Sequence, residues 1–333
     1  MKHLDRFFEP EGWQTDHFTS TSGKKIRYGH AEPAGPAKGT VVITTGYADF
    51  REAYHETIHE YLNRGYAVWM MDWAGHGGSE KRDPANPKKG QTVDDHIEDL
   101  RKFRQEIVEP QTGKPVFLST HSMGGQIALH YLSRHGKDFD AAILATPLVE
   151  AKLKGPTVDF LKVAYASALY YGGADEPIPD GRRQLTRGLT EERGGMKNDN
   201  PLRMTLHKTL MLLDDTLKAE DPAIGYVASL LFSTEESAKP AFQKSITTPV
   251  LFGIGKDDDV IDNDAVRRAA KTMPNAKAAE IDGGLHALWL DRDPQRKDWW
   301  SHIDSFLTQQ HLDFSPPPPS KTAPPPTHRG PAP

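Results

Sequence analysis

Residues 118–129, LSTHSMGGQIAL, join a short apolar run to a segment with helical spacing, and a serine sits at the junction with two glycines just after it. A nucleophile on a strained strand-to-helix turn needs this arrangement, because the turn exposes the hydroxyl and small neighbours let strand and helix approach closely. Ser122 would then stand at the N-terminus of the following helix, where backbone N–H groups and the helix dipole favour a developing oxyanion. The consensus for such a turn is G-x-S-x-G, and Thr120 takes the place of the first glycine. A larger residue there requires the helix to pack slightly further away. The same stretch also reads as an ordinary turn that contains a serine, so its surroundings decide.

Working outward, the chain alternates strand-like and helix-like segments, the pattern of an α/β protein with a mostly parallel sheet flanked by helices. TVVITTG (40–46), YAVWMMDW (66–73), the run before Ser122, AAILATP (141–147) and TPVLFGIG (248–255) are short apolar runs ended by glycine or a turn cluster, and read as buried strands. REAYHETIHEYLNRG places Tyr54, Ile58, Tyr61 and Leu62 at helical spacing with Gly65 at the C-terminal cap position. TVDDHIEDLRKFRQEIVEP (92–110) has Thr92 as N-cap and stops at Pro110. NDAVRRAAKTMP and RKDWWSHIDSFLTQQ read as late helices.

Between residues 148 and 247 the rhythm breaks into helical patterns separated by Gly-rich and charged loops. The expected division is an α/β core over 1–147 and 248–314, a helical cap over 148–247, and a proline-rich tail over 315–333, whose SPPPPSKTAPPP run reads as extended and disordered. The partner of that tail is unknown.

A net charge of −5 spread over 333 residues offers no basic stripe, so nucleic acid is not expected as a partner. No apolar run approaches the roughly 20 residues that cross a bilayer, and the charged start MKHLDRFFEPEGWQTD lacks the apolar region of a secretory signal, so a cytoplasmic location is expected. With no cysteine, disulfides, thiolate metal sites and cysteine nucleophiles are excluded. Hydroxyls, carboxylates and imidazoles remain.

A nucleophilic serine needs a base and an orienting acid, which in this architecture follow in the order Ser, Asp or Glu, His. KDDDVID follows the strand TPVLFGIG, and after the strand-like AKAAEIDGG comes His286, among Gly283, Gly284 and Ala287. Both turns lie at the C-terminal edge of the sheet, where an open α/β sheet places its site. The oxyanion donors would be the backbone N–H of Tyr47, where Gly46 lets the chain bend, and the N–H of Met123. His121 should point away from the nucleophile and take a structural role.

HETIH (55–59) competes with this reading, since H-E-x-x-H sets two imidazoles on one helix face and can build a zinc site. A zinc helix must aim both histidines into an open cleft with a third ligand. Here the helix must also cover the sheet, and the downstream Glu80 follows a GHGGSE turn with no helix to aim it. His55, Glu56 and His59 are therefore read as a partly solvated helix face, and neither a metal nor a cofactor is expected.

HSMGG, MDWAGHGGSE, GKDDDVID and GGLHALWLD together resemble the α/β-hydrolases of the monoacylglycerol lipase and lysophospholipase type, relatives of serine aminopeptidases, over residues 12–312. The resemblance implies that Asp72 to Ser79 form a structural turn. It also implies that the acid lies in G-x-x-D-x-V, which aligns Gly255, Asp258 and Val260; this selects Asp258, with Asp257 second. The usual His-Gly before the oxyanion donor is Thr45-Gly46 here.

The implied function is a serine hydrolase that cleaves carboxylic esters with lipid-like acyl groups, through an acyl-enzyme on Ser122 with His286 as base and Asp258 as orienting acid. Contact with lipid would be transient. Phe160, Leu161, Tyr165, Leu169 and Tyr170 of the cap could wall an acyl chain or form the cap's own core. A peptidase or amide hydrolase on the same scaffold is the alternative; one that binds an N-terminal amine would need a carboxylate facing the pocket from the cap, which Glu150, Asp159, Asp175 or Glu176 could supply. A non-catalytic binding module is disfavoured because all three triad positions are filled.

Overall fold

The computed structural model describes residues 4–82, 91–110, 113–150, 163, 166–167 and 200–313. The strands are β1 (Gln14–Thr19), β2 (Lys25–Ala31), β3 (Gly39–Thr44), β4 (Tyr66–Met71), β5 (Val116–His121), β6 (Ala141–Ala145), β7 (Val250–Gly255) and β8 (Ala276–Ile281). They form one sheet in the order β1-β2-β4-β3-β5-β6-β7-β8. From β4 to β8 every neighbouring pair is parallel, while β2 pairs antiparallel with both β1 and β4. The described helices, numbered in chain order, are α1 (His55–Asn63), α2 (Val93–Lys102), α3 (Met123–His135), α4 (Pro201–Leu213), α5 (Ile224–Ser237), α6 (Pro240–Ser245), α7 (Asn263–Thr272) and α8 (Asp293–Asp313).

The central strands are apolar throughout because both faces of the sheet are covered. Alternation still sorts their residues: Val42 packs with Leu118, Leu144 and Phe252 on one face, and Val41 and Ile43 pack with Phe117, Ile143 and Leu251 on the other. The first face carries residues of α2, α3, α5 and α7, the second those of α1 and α8. β1 and β2 were not anticipated. In β1 only Phe18 is buried, so the strand lacks the apolar run that marks its neighbours.

Thr92 caps α2 as expected, in a reciprocal capping box with Asp95. The helix does not run to Pro110. It ends at Lys102 and continues as a π-turn over Phe103–Ile107, closed by the N–H of Val108 on the carbonyl of Phe103 at 2.9 Å. Gly65 takes the left-handed conformation after α1, φ 85°.

Helices α4, α5 and α6 lie between β6 and β7 in the chain. α5 sits on α3, where the Gln126 amide donates to the hydroxyls of Ser233 and Ser237, each at 3.1 Å. Among the described residues no helix is long and apolar enough to cross a membrane.

Candidate active site

β5 ends at His121, α3 begins at Met123, and Ser122 between them has φ 50° and ψ −113°. A serine held there is strained, and the strain is maintained by backbone bonds on either side of it. The Ser122 N–H donates to Ala145 O at 3.1 Å, and its carbonyl accepts from Leu148 N at 3.0 Å and Gln126 N at 3.2 Å. The glycines after Ser122 make this crossing sterically feasible: a Cβ on Gly124 would run into the Thr45 carbonyl, and one on Gly125 would lie 2.5 Å from Pro147 Cβ. That second glycine also accommodates Thr120, whose Oγ1 stands 3.5 Å from the vacant Cβ position.

The structure brings the three anticipated side chains into one chain of hydrogen bonds. Ser122 Oγ lies 2.9 Å from His286 Nε2, and His286 Nδ1 lies 2.7 Å from Asp258 Oδ2. Asp258 and His286 are 4% and 1% exposed, whereas Asp257 points to solvent. The other Asp258 oxygen accepts the N–H groups of Val260 (2.8 Å) and Ile261 (3.4 Å). Burial pushes the Asp258 carboxyl up, but the charge and hydrogen bond of His286 and those two N–H groups outweigh it and hold the group below the usual carboxylate range.

The His286 loop is anchored by its backbone. The N–H of Leu285 donates to the buried Asp291 carboxylate at 2.8 Å, and the His286 carbonyl accepts from Thr146 Oγ1 at 2.5 Å and His121 Nε2 at 3.1 Å. His121 does turn away from Ser122, as its place on a sharp turn requires. Its contact with the His286 carbonyl was not foreseen.

Met123 is the first residue of α3 and Gln126 is the first to donate within the helix, so the Met123 N–H has no intrahelical partner. Tyr47 sits just after β3, followed by Ala48 in the left-handed region at φ 57°. Tyr226 of α5 touches both residues, its hydroxyl 2.6 Å from Met123 Sδ and its ring 6.2 Å from that of Tyr47. The sequence carried no sign of this buttress, since nothing local to Tyr226 distinguishes it from a core tyrosine. Beside these rings a cleft of about 290 Å³, counted out to solvent, is walled by Tyr47, His76, His96, Glu220 and Tyr226.

Asp72 to Ser79 do form a structural turn: the Asp72 carboxylate accepts from Arg51 N (2.9 Å), Gly78 N (3.1 Å) and Arg27 Nε (2.6 Å), and the Ser79 hydroxyl donates to the Asp72 carbonyl at 2.9 Å. Glu150 binds Arg268 at 3.0 Å. Phe160, Leu161, Tyr165, Leu169 and Tyr170, with Asp159, Asp175 and Glu176, lie outside the described residues.

HETIH is a partly solvated face only at His59. His55 and Glu56 are 8% and 3% exposed, because the N-terminal segment and α4 cover this side of α1. His55 Nδ1 lies 3.3 Å from the carbonyl of Phe7, and His59 Nε2 lies 3.0 Å from that of Phe8. Glu56 is surrounded by the guanidinium groups of Arg6, Arg203 and Arg296. Glu80, the conceivable third ligand, accepts the N–H of Lys25 at 2.9 Å. Among the described residues no three His, Asp or Glu side chains are grouped as a metal ion requires.

Residues 35–293 match the family model described as serine aminopeptidase, S33. The chain is 22% identical over 319 residues to a probable lysophospholipase L2 of Haemophilus influenzae, covering 93% of this chain and 96% of the relative. It is 24% identical to lysophospholipase L2 of Escherichia coli K12, covering 81% of each. Among solved structures, a soluble variant of monoglyceride lipase from Saccharomyces cerevisiae superposes with a TM-score of 0.67 at 18% identity, over 90% of this chain and 96% of that one. An eight-stranded sheet in this order, a serine on a strained turn after β5, and a family match over most of its length agree. The chain belongs to the serine aminopeptidase S33 family of α/β-hydrolases.

Proposed function

We propose that the protein is a serine hydrolase that cleaves carboxylic esters with lipid-like acyl groups, of the monoacylglycerol or lysophospholipid type, through an acyl-enzyme on Ser122. The observation that carries this reading is the continuous Asp258–His286–Ser122 chain, with contacts of 2.7 and 2.9 Å, ending on a serine at φ 50°. The lipid-like substrate class is taken from the names of the lysophospholipase and monoglyceride lipase relatives.

In the first half-reaction His286 Nε2 accepts the Ser122 proton as Oγ bonds to the ester carbon, while Asp258 holds the proton on Nδ1 and stabilises the imidazolium. The N–H groups of Met123 and Tyr47 receive the negative oxygen. The tetrahedral species collapses as the C–O bond to the alcohol breaks and His286 gives its proton to the departing oxygen. Water then attacks the acyl-enzyme, loses a proton to His286, and releases the carboxylic acid as that proton returns to Ser122. No step calls on a cofactor.

We read the insertion over 148–247 as a cap on this core that supplies an apolar wall for the acyl chain. The described part of the insertion supports that placement, since Tyr226 of α5 touches both Tyr47 and Met123.

One preparation tests the reading. Aryl esters of rising chain length, monoacylglycerols, lysophospholipids and aminoacyl amides are offered to the wild type and to Ser122→Ala. Turnover of the esters that falls by about four orders of magnitude or more in the variant is the expected result. An unchanged turnover number in Ser122→Ala would sink the reading, and aminoacyl amides turned over faster than every ester would move the protein to the peptidase alternative.

A further inference from the structure

We infer that Asp49 and His121 form a second acid–imidazole pair that positions His286: His121, donating from both ring nitrogens, holds the His286 backbone carbonyl and so aims the general base. The inference rests on the reading of His286 as that base.

Both residues are 1% exposed. His121 Nδ1 lies 3.2 Å from Asp49 Oδ2, and Nε2 lies 3.1 Å from the carbonyl oxygen of His286. A carboxylate and a carbonyl are both acceptors, whereas a neutral imidazole has one N–H to give. Tyr54 does not relieve the shortage, because its hydroxyl lies closer to Asp49 Oδ2, at 2.8 Å, than to His121 Nδ1, at 3.2 Å. The arrangement is satisfied when both ring nitrogens carry protons and the buried carboxylate of Asp49 balances the charge.

Burial pushes the Asp49 carboxyl up, and the hydrogen bond and charge of His121, with His207 and Tyr54, outweigh it and leave the group below its usual value. Space for the ring is built in, since a Cβ on Gly46 would stand 2.8 Å from His121 Nδ1. That glycine therefore serves the imidazole as well as the bend before Tyr47. Thr146 donates to the same His286 carbonyl at 2.5 Å from a left-handed conformation, φ 41°, that costs a β-branched residue energy. One imidazole thus ties together the residue before Ser122, the loop carrying Tyr47, and the loop carrying His286.

The titratable groups facing the pair are Tyr54, the His286 ring with its centroid 5.0 Å from that of His121, and His207 of α4, whose Nε2 is 3.8 Å from Asp49 Oδ1.

The test uses the full-length resting protein with ¹⁵N-labelled histidine rings near neutral pH. Two protonated nitrogens are expected on His121, with a downfield Nδ1–H signal lost in Asp49→Asn and retained in Asp258→Asn, which instead removes the His286 Nδ1–H signal. Kinetically, His121→Gln should lower kcat on a short aryl ester about 10- to 100-fold with KM within a few-fold, as a slight misplacement of the base would. Since an unpaired Asp49 could prevent folding, Asp49→Asn with His121→Gln removes both charges; its kcat loss should not exceed that of His121→Gln. One unprotonated nitrogen on His121, or wild-type kcat in the double variant, would overturn the inference. Ester turnover that survives Ser122→Ala would instead overturn the reaction assignment, leaving the nitrogen signals to decide the pair.

Discussion

Asp258 and Asp257 are neighbours with opposite surroundings, and a comparison of the two isolates what the acid does. Asp258 is buried on His286 Nδ1 and Asp257 is exposed. Asp258→Asn should lower turnover by about four orders of magnitude by favouring the wrong imidazole tautomer, while Asp257→Asn should stay within a few-fold of wild type. Equal losses would mean that the loop rather than the carboxylate matters. The three-aspartate run left this choice open by one residue. A chain turning after a strand sends alternate side chains to different environments, and only coordinates show which one is inside. Ser122 and His286 were legible because each follows a strand and has a pair of glycines two and three residues away. The pairing of Asp49 with His121 was not, since the two are 72 residues apart in sequence and nothing around Asp49 marks it as the partner of the imidazole before Ser122.

Among the elements, α2 carries a group of the opposite kind. Burial pushes the Asp99 carboxyl up to about 7, and its Oδ2 has no hydrogen-bond partner. A carboxyl that titrates near 7 when folded and near 3.9 when unfolded keeps its proton only in the folded state between those values. Stability contributed by this group is therefore present below about pH 4 and lost as pH rises toward 7. Asp99→Asn should flatten that decline, so that melting temperatures of variant and wild type diverge in the variant's favour between about pH 4 and pH 7 and stay apart by a constant margin above it. Parallel curves would show that Asp99 titrates normally.

In α1 the H-E-x-x-H spacing is real, but what it serves is packing. Glu56 balances buried guanidiniums, and removing one partner of a buried ion pair costs about 3–5 kcal/mol. Burial draws Arg296 down to about 10 with Glu56 opposing, so Glu56→Gln leaves Arg296 and Arg203 without their buried anion. Denaturant midpoints should fall accordingly, and a chelator should leave hydrolysis unchanged. Activity lost to the chelator and restored by zinc would return the motif to metal chemistry. The motif misled about burial because spacing fixes which residues share a helix face but not what covers that face. β1 was illegible for a related reason: one buried phenylalanine in six residues gives no alternation to read.

For the whole molecule, the central sheet was readable because strands buried on both faces become apolar runs, whereas the contacts of α4 to α6 with the core depend on side chains far apart in sequence. Arg203 of α4 is the clearest of these. It donates to Glu56 of α1 at 2.7 and 2.9 Å, to the Asp291 carbonyl at 2.8 Å and to Asp293 at 2.6 Å, tying this helix of the β6–β7 connection to the start and the end of the core. His207, one turn on, stacks on Phe50 with centroids 4.6 Å apart. Arg203→Met keeps the side-chain volume and removes the tie, while Glu56 retains Arg296 at 2.7 Å. The loss should be local: amide exchange should speed up in α4 far more than in α3, and the denaturant midpoint should fall less than in Glu56→Gln. If the insertion walls the acyl chain, loosening it removes apolar contact that long chains use and short ones do not, at about 0.8 kcal/mol per buried methylene. Turnover of long-chain esters should then fall more than that of short-chain esters in Arg203→Met. Equal losses at every chain length, with α4 exchange raised as expected, would place the acyl chain away from the insertion.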